Sequence, residues 1–266
     1  MLDMVVNVGK ARADSPFIPG ALELARRERA FVTGLQVVAV YPSLLGQAEV
    51  AALIAAEERD ARMRQEWWLE LCRKAGVEGA WEVLRGIYVT SLAKRSQLAD
   101  LLVCELPVRA PEAPAGFDEL TRVLFADTSP MLLVPDTWTG TLSAQRVLIA
   151  WNGSGEAARA AKAALPLLEH ATAVRVLDGT RVALPGIGPP PPPLREWLER
   201  HGIRAQWQHF EAERDTGRAL LAEARGMQAD LLVMGAWGRS RMSELILGGA
   251  TRWMLDHASL PLLLTH

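Results

Sequence analysis

The sequence has no run of about 20 apolar residues, the length that a membrane-crossing helix needs, although half of its 266 residues are hydrophobic. Its first residues, Met1-Leu2-Asp3-Met4, lack the basic stretch and cleavage site of a signal peptide. An excess of positive charge is also missing. A formal net charge of -2 offers no basic stripe for nucleic acid. Cysteine is scarce. Cys72 and Cys104 have no metal-ligand spacing, and Cys104 lies in an apolar run that predicts a buried thiol. His170, His201, His209, His257 and His266 are scattered, so neither a metal set nor a nucleophile–base pair can be read. No catalytic and no metal-binding residue is assigned. The nine tryptophans are dispersed along the chain and predict no stacking array. These absences predict a cytoplasmic protein with reduced cysteines and no membrane or nucleic-acid partner.

What is present is an internal repeat. Ala99-Asp100-Leu101-Leu102-Val103 recurs as Ala229-Asp230-Leu231-Leu232-Val233, an offset of 130. The same offset aligns Thr121-Arg122 with Thr251-Arg252, and Ser129-Pro130-Met131-Leu132-Leu133 with Ser259-Leu260-Pro261-Leu262-Leu263. The two halves also begin alike. Met4-Val5-Val6-Asn7 resembles Val147-Leu148-Ile149-Ala150-Trp151-Asn152, here at an offset of 145, so the first half carries about 15 extra residues. The polar turn Asp136–Gly140 predicts the boundary, giving domains 1–138 and 142–266.

Each half reads as alternating strand and helix, the pattern of βαβ units on a parallel sheet covered on both faces. In the second half, strands are predicted over Arg146–Ala150, Ala173–Leu177, Arg204–Phe210, Asp230–Met234 and Pro261–Thr265. Helices are predicted over Gly155–His170, Arg195–His201, Thr216–Met227 and Gly249–His257. In the first half, Ser15-Pro16 predicts an N-cap and a first-turn proline. Glu49–Ala75 reads as one long helix holding the extra residues. Gly188 and Pro189–Pro193 predict a polyproline II connector.

The most informative stretch is Gly235-Ala236-Trp237-Gly238, then nine residues, then Gly248-Gly249-Ala250-Thr251. It follows a strand and ends at a helix start. Ligands of open parallel sheets bind at the carboxyl ends of strands. Glycines there let backbone approach a ligand closely. N–H groups at a helix N-terminus favour an anion, with a dipole contribution of roughly 0.3–1 kcal/mol. Thr251 adds a hydroxyl, and Arg239 and Arg241 add countercharge. The chemistry fits a phosphate site slightly better than a ligand-free, glycine-rich connection.

Gly235, Gly238 and Gly248 stand as G-x2-G-x9-G, and in this context the second half resembles the nucleotide-binding universal stress proteins. The first half resembles them more weakly, so the chain looks like a tandem member. The resemblance implies two flavodoxin-like α/β domains of the adenine nucleotide alpha hydrolase-like type. Each would have a five-stranded parallel sheet with helices on both faces. The two would pack as a pseudo-dimer through their last strands, Met131–Val134 and Pro261–Leu264, with a homodimer of the whole chain left open. It also implies ATP, with or without Mg, or another adenine nucleotide as ligand in the second half. Gly235, Gly238, Arg239, Ser240, Gly248, Gly249, Ala250 and Thr251 fall on the phosphate loop. Val176 falls where the family packs the adenine, and Ala150 and Met234 would line the pocket. Asn152 stands where ATP binders usually carry Asp, and Gly249 where the family usually has Ser or Thr. At the offset of 130, Gly235, Gly238, Gly248 and Gly249 become Glu105, Val108, Asp118 and Glu119. Like charges about 4 Å apart repel by roughly 4 kcal/mol at an effective dielectric of 20, so the first half is expected not to bind ATP in this way.

Three other readings stay open. Gly153-Ser154-Gly155-Glu156-Ala157-Ala158 matches G-x-G-x-x-A, with Asp178 at the end of the next strand, as in an NAD(P)-dependent oxidoreductase. Helix capping by Asn152 or Ser154 explains the same residues. A pyrophosphatase-type enzyme would need an Asp that Asn152-Gly153-Ser154-Gly155 lacks. A module that keeps the fold without a nucleotide is the third. The favoured expectation is a stress-response protein that binds nucleotide and hydrolyses it slowly at most.

Overall fold

The computed structural model describes residues 2–9, 11, 15–44, 46–107, 119–126, 129–180, 190–212, 215–236 and 249–266. The chain divides into two compact units, Met1–Glu105 with Phe117–Met131, and Leu106–Gly116 with Leu132–His266.

The first unit is built on β1 (Asp3–Asn7), β2 (Phe31–Ala39), β3 (Gly79–Gly86) and β4 (Leu101–Leu106), ordered β3-β2-β1-β4 and paired in parallel. Its helices are α1 (Phe17–Glu28), α2 (Ala48–Met63), α3 (Gln65–Ala75), α4 (Tyr88–Ser96) and α5 (Glu119–Ala126). β1 and β4 are short, largely buried apolar runs because both faces are covered, whereas β3 is half-buried and carries Glu82 and Arg85. Ser15 caps α1 as expected: its hydroxyl accepts from the Phe17 N–H at 3.1 Å, and Pro16 carries helical angles. Helix α3 ends in a Schellman turn at Gly76, whose φ is +70°, with the Val77 N–H on the Cys72 carbonyl at 3.0 Å. Trp68, fully buried, lies flat on the Cα of Gly34, where any side chain would collide with the indole. β5 (Met131–Pro135) is buried throughout and is grouped with the second unit from Leu132 onward.

Two expectations for the first half need correction. The single helix over Glu49–Ala75 is two, α2 and α3, broken at Arg64. The Ala61 carbonyl accepts from the Arg64 N–H at 3.3 Å and from the indole N–H of Trp81 at 2.9 Å, so a side chain enters the helical ladder there. The tryptophans are not all dispersed in space. Trp67, Trp68 and Trp81 form a cluster with ring centroids 6.0–6.3 Å apart, and the Arg64 guanidinium lies 4.7 Å from the Trp67 ring centre. Sequence separation hid this, because Trp81 reaches α3 only through the sheet.

The second unit has β6 (Arg146–Trp151), β7 (Ala173–Asp178), β8 (Ala205–His209), β9 (Leu231–Gly235) and β10 (Leu262–Thr265), ordered β10-β9-β6-β7-β8 and parallel. Its helices are α6 (Gly155–Ala163), α7 (Leu165–Glu169), α8 (Leu194–Arg200), α9 (Thr216–Met227) and α10 (Gly249–His257). Each predicted element is present within about two residues, as expected for frayed ends. The one correction among its helices is that Gly155–His170 is split at Ala164. Pro166 cannot donate to the preceding turn. The polyproline II expectation fails at Pro193, the one residue of the run whose backbone angles are fixed here. Gly188 and Pro189 lie outside the described residues, and Pro193 has ψ 74° with the Leu194 N–H on the Pro192 carbonyl at 2.9 Å, an inverse γ-turn. Among the described residues, no helix is long and apolar enough to cross a membrane.

Candidate functional site

In the second unit the chain runs from β6 outward to β7 and β8, then returns to β9 and β10 on the other side of β6. Neighbouring strands β6 and β9 therefore send their following loops to opposite faces. Such a switch point leaves a crevice at the carboxyl ends, which is where open α/β sheets take ligands. Ala150 and Met234 are partners in register across this pair, and Gly235 and Thr265 are partners on the next. The structure thus brings Ala150, Met234 and Gly235 together at the switch point, with Asn152 just beyond the end of β6. Val176 is placed one strand away, on β7 between Ile149 and Trp207, with its side chain fully buried in the core.

Gly235 is required by packing. A Cβ there would stand 2.5 Å from the Ala157 nitrogen, in the first turn of α6. Thr265 reinforces the same junction, its hydroxyl donating to the Glu156 carbonyl at 2.8 Å. Glu156, Ala157 and Thr265 were not singled out in the sequence. The contact that makes them matter joins residues more than 70 positions apart, and no local pattern carries it.

Gly249 opens α10 and is exposed, and among the described residues a Cβ there would meet nothing within 4 Å. Ala250 is half-buried and Thr251 buried, and the first turn has no acidic residue to oppose an anion. Gly238, Arg239, Ser240 and Gly248 lie outside the described residues, as does Arg241.

At the start of α6 the capping reading is the one observed. The Ser154 hydroxyl accepts from the Ala157 N–H at 3.2 Å, and the Asn152 carboxamide oxygen accepts from the Ser154 N–H at 3.0 Å. Gly153 has φ +74°, which favours glycine.

The first unit's equivalent crevice differs. Glu105, at the position of Gly235, accepts a hydrogen bond from the Ser15 hydroxyl. Asn7, at the position of Asn152, is buried and donates to the Tyr88 hydroxyl at 2.6 Å and to Cys104 Sγ at 3.7 Å. Burial pushes the Tyr88 hydroxyl well above its ordinary range and the Cys104 thiol up to about 12. Glu119 is the first residue of α5. Val108 and Asp118 lie outside the described residues. Among the described residues, no group of three or more His, Cys, Asp or Glu could hold a metal ion.

The site is of the open parallel α/β kind, with a glycine-bounded crevice at a switch point. Residues 143–266 match the model of the universal stress protein family, and the second half belongs to that family. A universal stress protein from Archaeoglobus fulgidus is similar in fold over 99% of this chain and 97% of its own, at a TM-score of 0.76 and 15% identity. A putative universal stress protein from Pseudomonas aeruginosa covers 100% of this chain and 93% of its own, at a TM-score of 0.62 and 15% identity. These likenesses span both halves. None of the curated proteins matches the chain in sequence.

Proposed function

We propose that the second half binds ATP or another adenine nucleotide through its phosphate chain, and that the protein serves a stress response by binding rather than by catalysis. The observation that carries this is the G-x2-G-x9-G segment of a universal stress protein domain, which leaves the sheet at the switch point and returns at the open start of α10. Backbone N–H groups there favour a phosphate. Any hydrolysis is expected to be slow and incidental to binding. The first half holds no nucleotide in this mode. Its Glu105, bonded to Ser15, puts a carboxylate where the second half has glycine.

The test is thermal unfolding of the full chain with and without millimolar Mg-ATP, with NADH in parallel. At 100 times Kd a ligand adds about 2.7 kcal/mol, enough to move Tm by several degrees. A shift with ATP that disappears in Gly238→Asp supports the reading. A shift with NADH alone assigns the ligand to Gly153 and Gly155 instead. No shift with either, in protein shown by mass spectrometry to carry no nucleotide, leaves a ligand-free module.

A further inference from the structure

The outer strand of the first unit presents an open edge. β3 pairs with β2 alone, in parallel and without interruption from Val32↔Gly79 to Ala39↔Gly86. The Val32 N–H donates to the Glu78 carbonyl at 3.0 Å, and the Val40 N–H to the Gly86 carbonyl at 2.9 Å. Backbone groups alternate in direction along a strand, so Trp81, Val83 and Arg85 turn theirs away from β2. Among the described residues, these outward N–H and carbonyl groups have no hydrogen-bond partner. Proteins blunt such edges with short strands, proline, bulges or free charges. β3 has eight residues, no proline and an unbroken register. Its two charged side chains are turned to the chain itself, Glu82 to Arg95 and Arg85 to Glu58. The outer strand of the second unit, β8, is by contrast five residues long and carries Gln206, Gln208 and His209. Beside β3, the exposed Trp67 meets Trp81 edge-on, and Ile87, which follows the strand, is exposed as well.

We propose that β3 is the contact through which two copies of this chain associate, antiparallel and edge to edge about a two-fold axis at Val83. This is independent of the nucleotide reading. In that register Val83 faces Val83 of the second copy, and Trp81 faces Arg85 in both directions. All three residues direct their backbone outward, and residues facing one another in this way exchange both N–H···O=C bonds. The side chains agree with the same register. Trp81 and Arg85 lie on the α2 face of the strand, where Trp81 reaches Ala61 and Arg85 reaches Glu58. The guanidinium of one copy therefore comes to the face that carries the indole of the other. Glu82 falls opposite Leu84, so no like charges meet, whereas a register centred on Glu82 would set two carboxylates opposite each other. The strand is thus complementary to itself, which an isologous contact between identical chains requires.

The experiment is sedimentation velocity of the full chain and of Arg85→Pro from low to high micromolar concentration, with hydrogen exchange of the full chain over the same range. Arg85 directs its N–H to the open edge, so proline removes a donor that the single chain does not use. The full chain is expected to pass from monomer to dimer as concentration rises. Arg85→Pro is expected to weaken dimerisation by about tenfold or more, with helix content by circular dichroism retained. The Trp81 and Val83 amides are expected to exchange fast in the monomer and slowly in the dimer. Should Arg85→Pro lose helix content, exchange at these two amides decides. A dimer that Arg85→Pro leaves intact, or that leaves these amides unprotected, would place the contact elsewhere and overturn the inference. A chain that stays monomeric throughout would overturn it too, and leave the edge to an extended segment of a different protein.

Discussion

The carboxylate of Asp230 accepts a hydrogen bond from the backbone N–H of Arg146 at 2.8 Å, and Asp100 does the same for Asp3 in the first half. In both halves the repeated Ala-Asp-Leu-Leu-Val segment thus ties the start of one strand to the start of its neighbour. Asp230 does more than its counterpart, accepting also from the Gln145 N–H at 2.8 Å and the Ser143 hydroxyl at 2.9 Å. Asp230→Ala is expected to cost about 1.5–3 kcal/mol, and Asp100→Ala about 1 kcal/mol. Urea unfolding checks this, and equal costs would show that the additional bonds contribute nothing.

Two glycines of the same loop pattern are expected to behave oppositely. Gly235→Ala pushes a methyl into the backbone of α6 and should destabilise by about 1–3 kcal/mol. Gly249→Ser meets no described residue within 4 Å of its Cβ and should change stability by less than about 0.5 kcal/mol. If the proposed function holds, the serine also tightens nucleotide binding, because it restores a hydroxyl at the helix start. Paired unfolding and titration of both variants separate packing from binding.

The break between α2 and α3 depends on Trp81. Trp81→Phe keeps an aromatic ring beside Trp67 and Trp68 but removes the N–H from the Ala61 carbonyl. The expected loss is about 0.5–1.5 kcal/mol, with retained helix content by circular dichroism. No loss would mean that the Arg64 contacts alone set the break.

The buried thiols make stability fall at high pH. Burial raises Cys72 to about 11 and Cys104 to about 12. Unfolded thiols ionise near ~8.5, so above that pH the unfolded state holds fewer protons than the folded one. The contribution is complete below the unfolded value and is lost as pH rises through the folded values. The urea midpoint should therefore drop as pH rises from about 8.5 towards about 11–12, and drop less in a Cys72→Ala, Cys104→Ala double variant.

Much of the fold could be read from the chain. The offset of 130 divided it into two related halves, and the boundaries of α9 and α10 were read residue for residue. These elements are set locally, by apolar period, by glycine and by polar punctuation between segments. The candidate site was readable in its outline because G-x2-G-x9-G follows a strand and precedes a helix. The split at Ala164 was missed, although Pro166 removes a donor there.

The tertiary structure decided the rest, because the deciding contacts join distant positions. A helix breaks where the Trp81 indole, 20 residues away, donates to the Ala61 carbonyl, and Gly235 must be glycine because α6 begins against it. Whether Asn152 faces a ligand or its own backbone cannot be read from the letter N at the end of a strand. The turn that follows puts the carboxamide oxygen on the Ser154 N–H. The sequence by itself determined which segments become strands and helices, and where glycine frees the chain. Only the assembled sheet determined which side chains have their hydrogen-bonding groups already engaged, because that depends on which strand ends are brought side by side.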